Sequence, residues 1–391
     1  MVRYQIYDMN ERSDRMAQRH LPGSTIGIIG SSLSAAVLAQ TAGRLGYRVA
    51  SLVTEEQNPV RQHALWQTVV EDYEDEALKY FGARIDLAIP EKGILSNQAL
   101  RVLNQHTDLP MSDDLMAITT DRLIEKVYLD THHVLVAPFS MVTNMTDLKE
   151  AVEYIGYPCV LKATQRHIAK ADDHVILYSE NDFNLAEAKL AQTTCLLEAW
   201  IPAEKQVSLI VIRNERGEIL IYPPFDIRHE GMPVARQVAY PAQLMRPVEE
   251  EMRRIAYHLA NQLNLRGSLT LKFLVTSAGV MYVNQASIGM NEESMFTIGT
   301  MSVSHYEATL RAMFDMALPS LTLNHPAGIA LPLTAIDTDK LMIQYLTRTD
   351  WGFAIFPSNS LHQPIQGYVN VTGDSLESCR RQIEATELLL N

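Results

Sequence analysis

The order of strand, glycine turn, helix and strand near the start of the chain limits its fold more than any other feature. TIGIIG over 25–30 is a short apolar run, SLSAAVLAQTAGRLG over 32–46 is helical and stops at Gly46, and YRVASLV over 47–53 is a second apolar run. Short strands joined through helices form parallel, doubly wound sheets with right-handed crossovers. IDLAI (85–89) and LMAIT (115–119) are expected to continue that sheet. The preceding residues are polar and mixed in charge, unlike a signal or transit peptide. They read as an N-terminal extension, 1–23, closed by the Pro22-Gly23 turn.

Beyond residue 118 the pattern changes. The helix DRLIEKVYLDTH is followed by the strands CVLKAT, HVILYS, CLLEAWI, QVSLIVIR and EILIYP. A helix from about Val248 to Asn264 and the hairpin SLTLKFLVTSAGVMYVNQ come next, with Ser277-Ala278-Gly279 as the turn. SHYEATLRAMFDM closes this α+β region. A last stretch holds IALPLT, FAIFP, GYVNVT and a terminal helix. The 391 residues thus divide into 1–23, a Rossmann-like domain 24–118, an α+β body 119–322 and a small β-rich part 323–391. The fold class expected is α/β and α+β.

Charge narrows the partners. A net charge of −13 disfavours nucleic acid and anionic membrane, which need a cationic surface, but allows a small phosphorylated ligand held by a few local cations. No apolar run approaches the roughly 18 residues that span a bilayer, and a cytoplasmic protein is expected. Cys159, Cys195 and Cys379 form no CxxC or Cys/His cluster, and the first two sit in apolar runs as buried free thiols.

Several positions carry possible chemistry. Gly30-Ser31-Ser32 reads as a plain β–α turn, with an anion pocket built on the serines as the alternative. Lys162 ends an apolar strand, either as a solvated lysine or as a cation for phosphate oxygens. Arg122 and Lys126 share a helix face and by themselves read as surface charge. Glu198 opens the extended segment LLEAWIP, which is either an edge strand or a backbone rim for a purine.

The order of these elements resembles the ATPase subunit of phosphoribosylaminoimidazole carboxylase, also called N5-carboxyaminoimidazole ribonucleotide synthase. The resemblance runs from Thr25 onward and is carried by Asp121-Arg122-Leu123 with Lys126, by the YPCVLK run ending at Lys162, by LLEAWIP and by HYEATLRA (305–312). It implies a three-domain ATP-grasp architecture, homodimers, and ATP- and bicarbonate-dependent carboxylation of aminoimidazole ribonucleotide. By the same resemblance Arg122 and Lys162 would contact ATP phosphates, and Glu198, Ala199, Trp200 and Ile201 would line the adenine and ribose pocket. Gln206 stands where the family has a nucleotide-contacting glutamate, and Asn284 would lie near the triphosphate.

Departures from the family pattern gather on the other side of that site. Its two magnesium-holding carboxylates correspond here to Lys272 and Gln285, expected to face one another across the hairpin. Magnesium prefers carboxylate oxygens, so these replacements argue against it. The glycine-rich lid is TQRHIAKADDH (164–174), without glycine; the run after the hairpin, SIGMNEESM (287–295), adds Glu292 and Glu293; and LHQPIQGY (361–368) replaces an arginine-lysine cluster that grips substrate phosphate. Lys272 is expected to pair with Glu292 or Glu293; the alternatives are that its ammonium stands in for magnesium and holds ATP without turnover, or that Glu292 and Glu293 fold back onto a metal. The resulting expectation is an ATP-grasp paralogue that holds a nucleotide or small-molecule ligand with its catalysis impaired. The alternatives are a ligase with another substrate and a relocated metal site, or an active synthase.

Overall fold

The first apolar runs pair as their patterning requires. The computed structural model describes residues 20–167, 174–228, 237–356 and 366–389, so most of the N-terminal extension and parts of the lid and of 361–368 lie outside the described residues. β1 (Thr25–Ile29), β2 (Arg48–Val53), β3 (Trp66–Val69) and β4 (Leu87–Pro90) form a parallel sheet in the order β3-β2-β1-β4. The helix α1 (Leu33–Arg44) connects β1 to β2, starting at the Ser32 cap. Its inward face is largely alanine (Ala35, Ala36, Ala39, Ala42), which lets it lie close to the sheet. Two further helices, α2 (Asp75–Gly82) and α3 (Asn97–Asn104), pack together beside this sheet.

Residues 115–119 do not extend the sheet. They form the middle of α4 (Asp113–Thr120), where the Ser112 side chain accepts from the Leu115 N–H and acidic Asp113 and Asp114 occupy the first turn. Those groups suit the positive end of a helix. Leu115, Met116, Ile118 and Thr119 are buried at helical rather than alternating spacing.

The chain then builds two antiparallel layers. After α5 (Arg122–Thr131), the strands β5 (Phe139–Val142), β6 (Cys159–Ala163), β7 (His174–Leu177) and β8 (Cys195–Ala199) pair as β5-β8-β6-β7, with α6 (Met145–Ile155) and α7 (Phe183–Leu190) packed on them. The larger sheet contains β9 (Lys205–Arg213), β10 (Ile219–Ile221), β11 (Phe225–Arg228), β12 (Gln237–Tyr240), β13 (Gly267–Val275), β14 (Met281–Ile288), β15 (Ala327–Pro332), β16 (Gly352–Phe356) and β17 (Gln366–Gly373). Its order is β14-β13-β9-β11-β12-β15-β17-β16, with β10 on β9. The C-terminal strands therefore extend this sheet through the β12–β15 pairing instead of forming one of their own.

Helices anchor the large sheet. On α8 (Arg246–Gln262), Met252, Ile255, Ala256, Leu259 and Ala260 are buried in the same core as Leu209, Leu269 and Leu271. Each large side chain contributes about 1.5–3 kcal/mol by burial, so the base of the β13–β14 hairpin is a rigid platform. The opposite side is covered by α9 (His305–Met313), whose Tyr306 hydroxyl reaches Ser34 on α1 at 3.2 Å. The remaining helices α10 (Thr338–Thr347) and α11 (Leu376–Thr386) frame a core with Ile329, Val369 and Val371. Cys159, Cys195 and Cys379 are buried and form no disulfide among the described residues. No described helix is long and apolar enough to cross a membrane.

Candidate functional site

Asp121 links α4 to α5 and caps the latter, its carboxylate accepting from the Leu123 and Ile124 N–H groups. The cap orients α5 so that three of its side chains reach neighbouring strands. Arg122 Nη1 donates to the Ala163 carbonyl at 2.6 Å, and Lys126 Nζ donates to the Asn284 carbonyl at 3.0 Å. Glu125 accepts from Arg166 and from the Ala286 N–H.

Glu198 stands opposite Val160, two residues before Lys162, so its side chain and that of Lys162 lie on one face of the sheet. Lys162 Nζ donates to Glu198 Oε2 at 2.7 Å, while Lys126 Nζ lies 3.6 Å from Glu198 Oε1. Glu198 and Lys126 are almost completely buried. Burial alone would push the Glu198 carboxyl up, yet Lys162, Lys126 and Arg122 together hold it below the usual carboxylate range. For Lys126 burial wins and pulls the ammonium below the usual lysine range, against Glu198 and Glu125.

A second cluster sits on the β13–β14 hairpin. Lys272 and Gln285 are direct cross-strand partners, and the ladder shifts register immediately after Lys272. Lys272 Nζ bonds Glu293 Oε1 at 2.7 Å, both groups being largely buried. With its amide assigned from the surrounding donors, Gln285 accepts from Arg166 Nη1 at 2.6 Å and from Lys92 Nζ at 2.8 Å. Burial first, then Arg166 and Lys272, pull the Lys92 ammonium well below the usual lysine range, opposed by Glu125 and Glu293. Among the described residues no three His, Cys, Asp or Glu side chains gather as a metal-ligand set.

The β1–α1 turn has an internal anion. The Ser31 N–H donates to Glu91 Oε2 at 3.1 Å and the Ser32 N–H to Oε1 at 3.2 Å, while the Ser32 hydroxyl also donates to Oε1. The helix N-terminus that could have met a phosphate is thus met by a carboxylate from the end of β4. Beside it lies a cavity of about 220 Å³ lined in part by Ser32, Ser34, Glu91, Lys92, Asn291 and Glu292. Burial and the neighbouring Glu293 push the Glu292 carboxyl up; Glu91 is likewise raised, by burial and by Glu292, against its serine donors.

Known proteins share this arrangement. The ATP-grasp domain family matches residues 127–306. The N5-carboxyaminoimidazole ribonucleotide synthase of Bacillus subtilis (strain 168) is 29% identical over 305 residues, covering 78% of this chain and 80% of the relative. That of Staphylococcus aureus (strain COL) is 27% identical over 338 residues, covering 85% and 88%. A solved structure of an ADP complex of N5-carboxyaminoimidazole ribonucleotide synthetase superposes with a TM-score of 0.85 at 26% identity, covering 94% of this chain and 97% of its own. The chain carries an ATP-grasp domain match over 127–306 and is similar in sequence and fold to these synthases.

Within the ATP-grasp frame, the residues singled out from sequence fall into separate groups. Lys162, Glu198 and the backbone of Asn284 meet around Lys126, and Arg122 lies at the end of β6. Ala199 and Trp200 continue from β8, but their N–H groups are spent on the Pro138 and Pro158 carbonyls; Trp200 is 45% exposed, and Ile201 follows half-buried. Gln206 is exposed at the start of β9, opposite Leu274. Lys126 corrects the surface-charge reading, because it is 1% exposed and bonded on three sides.

Glu91, Lys92, Glu125 and Arg166 were not foreseen. Glu91 and Lys92 had a signal: they follow β4 at the carboxyl end of a parallel strand, where open α/β sheets form crevices. Glu125 and Arg166 had none, since their pairing spans 41 residues. The hairpin does not fit magnesium. Lys272 presents an ammonium already paired with Glu293, and the Gln285 oxygen already faces two cations.

Proposed function

We propose that this protein holds an adenine nucleotide in its ATP-grasp body and does not perform the carboxylation of the synthases it resembles. The observation that carries the proposal is the Lys272–Glu293 ion pair at the hairpin, cross-strand from Gln285. Phosphoryl transfer relies on a metal that bridges phosphate oxygens and neutralises developing charge. An ammonium and an amide at those two positions supply neither anion for such a metal. The ADP complex of a relative at 26% identity supports nucleotide binding on the retained side, with Arg122, Lys162 and the 198–201 segment as the expected contacts, and Gln206 and Asn284 at its margin.

The division into 24–118, 119–322 and 323–391 belongs to the same proposal, supported by the separate parallel sheet that precedes Asp121. A homodimer is expected from the resemblance, and light scattering on the purified chain reads it directly.

A second reading is a ligase for another acceptor. It is favoured by the cavity beside the β1–α1 turn, where Glu91 and Glu292 place acidic groups and Glu91 already fills the turn's donors. Phosphate release from magnesium ATP, with and without bicarbonate and aminoimidazole ribonucleotide, tests the first reading. The expected result is no acceptor-dependent release. Release that requires both acceptors refutes it, and release stimulated by a different acid or amine supports the second reading.

A further inference from the structure

We propose that the hairpin end of this site binds the diphosphate of an adenine nucleotide without a divalent metal, Lys92, Arg166 and Lys272 standing in for the ion. The inference rests on the nucleotide-holding reading above and concerns how that nucleotide is held.

Charge balance is the first support. Lys92, Arg166 and Lys272 gather about Gln285, and among the described residues the carboxylates in direct contact with them are Glu125 and Glu293. Among the described residues these three basic groups have two carboxylates in direct contact, which favours an anion there in a chain whose net charge is −13. Such a place attracts phosphate and repels a free divalent cation.

An unused donor is the second. Arg166 is 7% exposed, with one guanidinium nitrogen on Glu125 and another on Gln285, yet among the described residues its Nε has no hydrogen-bond partner. Leaving a buried donor unpaired costs about 1–3 kcal/mol, and a phosphate oxygen at that nitrogen would remove the cost. Guanidinium groups suit phosphate because they present planar, paired donors.

The third support is the way Lys92 is held. Among the described residues its direct contact is the neutral Gln285 oxygen, and its charge is disfavoured by burial, Arg166 and Lys272. A phosphate beside it would reverse that balance. Lys272 and Lys162 retain 25% and 24% side-chain exposure, so a ligand can approach between the two clusters. The elements that bring these groups together are β4, β13, β14 and the segment after β6.

Isothermal titration of the full chain with ADP, once in EDTA and once in excess magnesium, tests the inference, together with AMP in EDTA. ADP is expected to bind at least as tightly in EDTA as in magnesium. AMP should bind about tenfold more weakly, the effect of losing a charge-assisted phosphate contact. Lys92→Met should weaken ADP binding in EDTA by about tenfold on the same basis. Tighter ADP binding with magnesium, no ADP binding in either buffer, AMP binding as tight as ADP, or an unchanged affinity in Lys92→Met overturns it. Acceptor-dependent turnover would refute the preceding reading without altering this comparison, and metal-dependent ADP binding would refute this one without producing turnover.

Discussion

At the scale of single residues, Lys126 is fixed by the carbonyls of Val283 and Asn284 and by Glu198, with 1% of its surface exposed. Removing its charge strips Glu198 of one of two ammonium partners and leaves a buried carbonyl unpaired. Lys126→Met should therefore lower unfolding stability by about 2–4 kcal/mol, measured in urea near neutral pH; a loss no larger than that of a surface lysine would contradict the placement. Glu292 is a different case, because burial and Glu293 raise its carboxyl and no described cation pairs with it. A raised carboxyl contributes stability at pH below its unfolded value and loses it as pH rises through its folded value. Glu292→Gln should thus stabilise the protein by about 1 kcal/mol near neutral pH, and the gain should vanish in thermal melts below the ordinary carboxylate range. Neither behaviour was legible in the sequence. Lys126 follows Arg122 by one helical turn, and that spacing gives no sign that α5 is sandwiched between β6 and β14.

At the scale of elements, the β1–α1 turn depends on Gly30 for two reasons. Its φ is +123°, a region side chains disfavour, and a Cβ there would meet the Glu91 carboxylate oxygen at 2.1 Å. Gly30→Ala should cost about 2–3 kcal/mol in chemical unfolding, and a change below about 0.5 kcal/mol would show that Glu91 does not occupy the turn. The strand–helix–strand order of this region was readable because both periodicities are strong. The occupant of the turn was not, since Glu91 comes from a strand 60 residues away from Ser31. The hairpin was readable from its turn at 277–279, but that turn alone would set Lys272 opposite Asn284, and a one-residue register shift after Lys272 brings it opposite Gln285. The segment 115–119 was misread because five apolar or small residues are too few to separate strand from helix. The Ser112-Asp113-Asp114 cap decides it as α4.

At the scale of the whole molecule, His305 opens α9 with its ring beside those of Tyr222 and Tyr306. It is fully buried, neither ring nitrogen has a hydrogen-bond partner among the described residues, and burial lowers its pKa to about 3. Its depressed folded value means the stability it permits is present above the unfolded histidine value and is lost as pH falls towards the folded one. Stability should decline by about 1.4 kcal/mol per pH unit below about pH 6 from this group alone. His305→Phe should flatten that slope in urea titrations across the acid range; an unchanged slope would contradict the burial. HYEATLRA marked this helix as a family feature, but only packing against α1 shows that its histidine is sealed. The overall architecture was thus legible from ordered short runs, and so was the pairing of Lys272 with an acidic residue after the hairpin, while Lys92, Arg166 and Glu125 beside Gln285 required the folded chain. The measurement that tests the proposed loss of carboxylation most directly is single-turnover ADP formation, with protein in excess over labelled ATP and with magnesium, bicarbonate and aminoimidazole ribonucleotide present. The expected result is ATP that stays intact whether or not the two acceptors are added; ADP that forms only when both are present would contradict it.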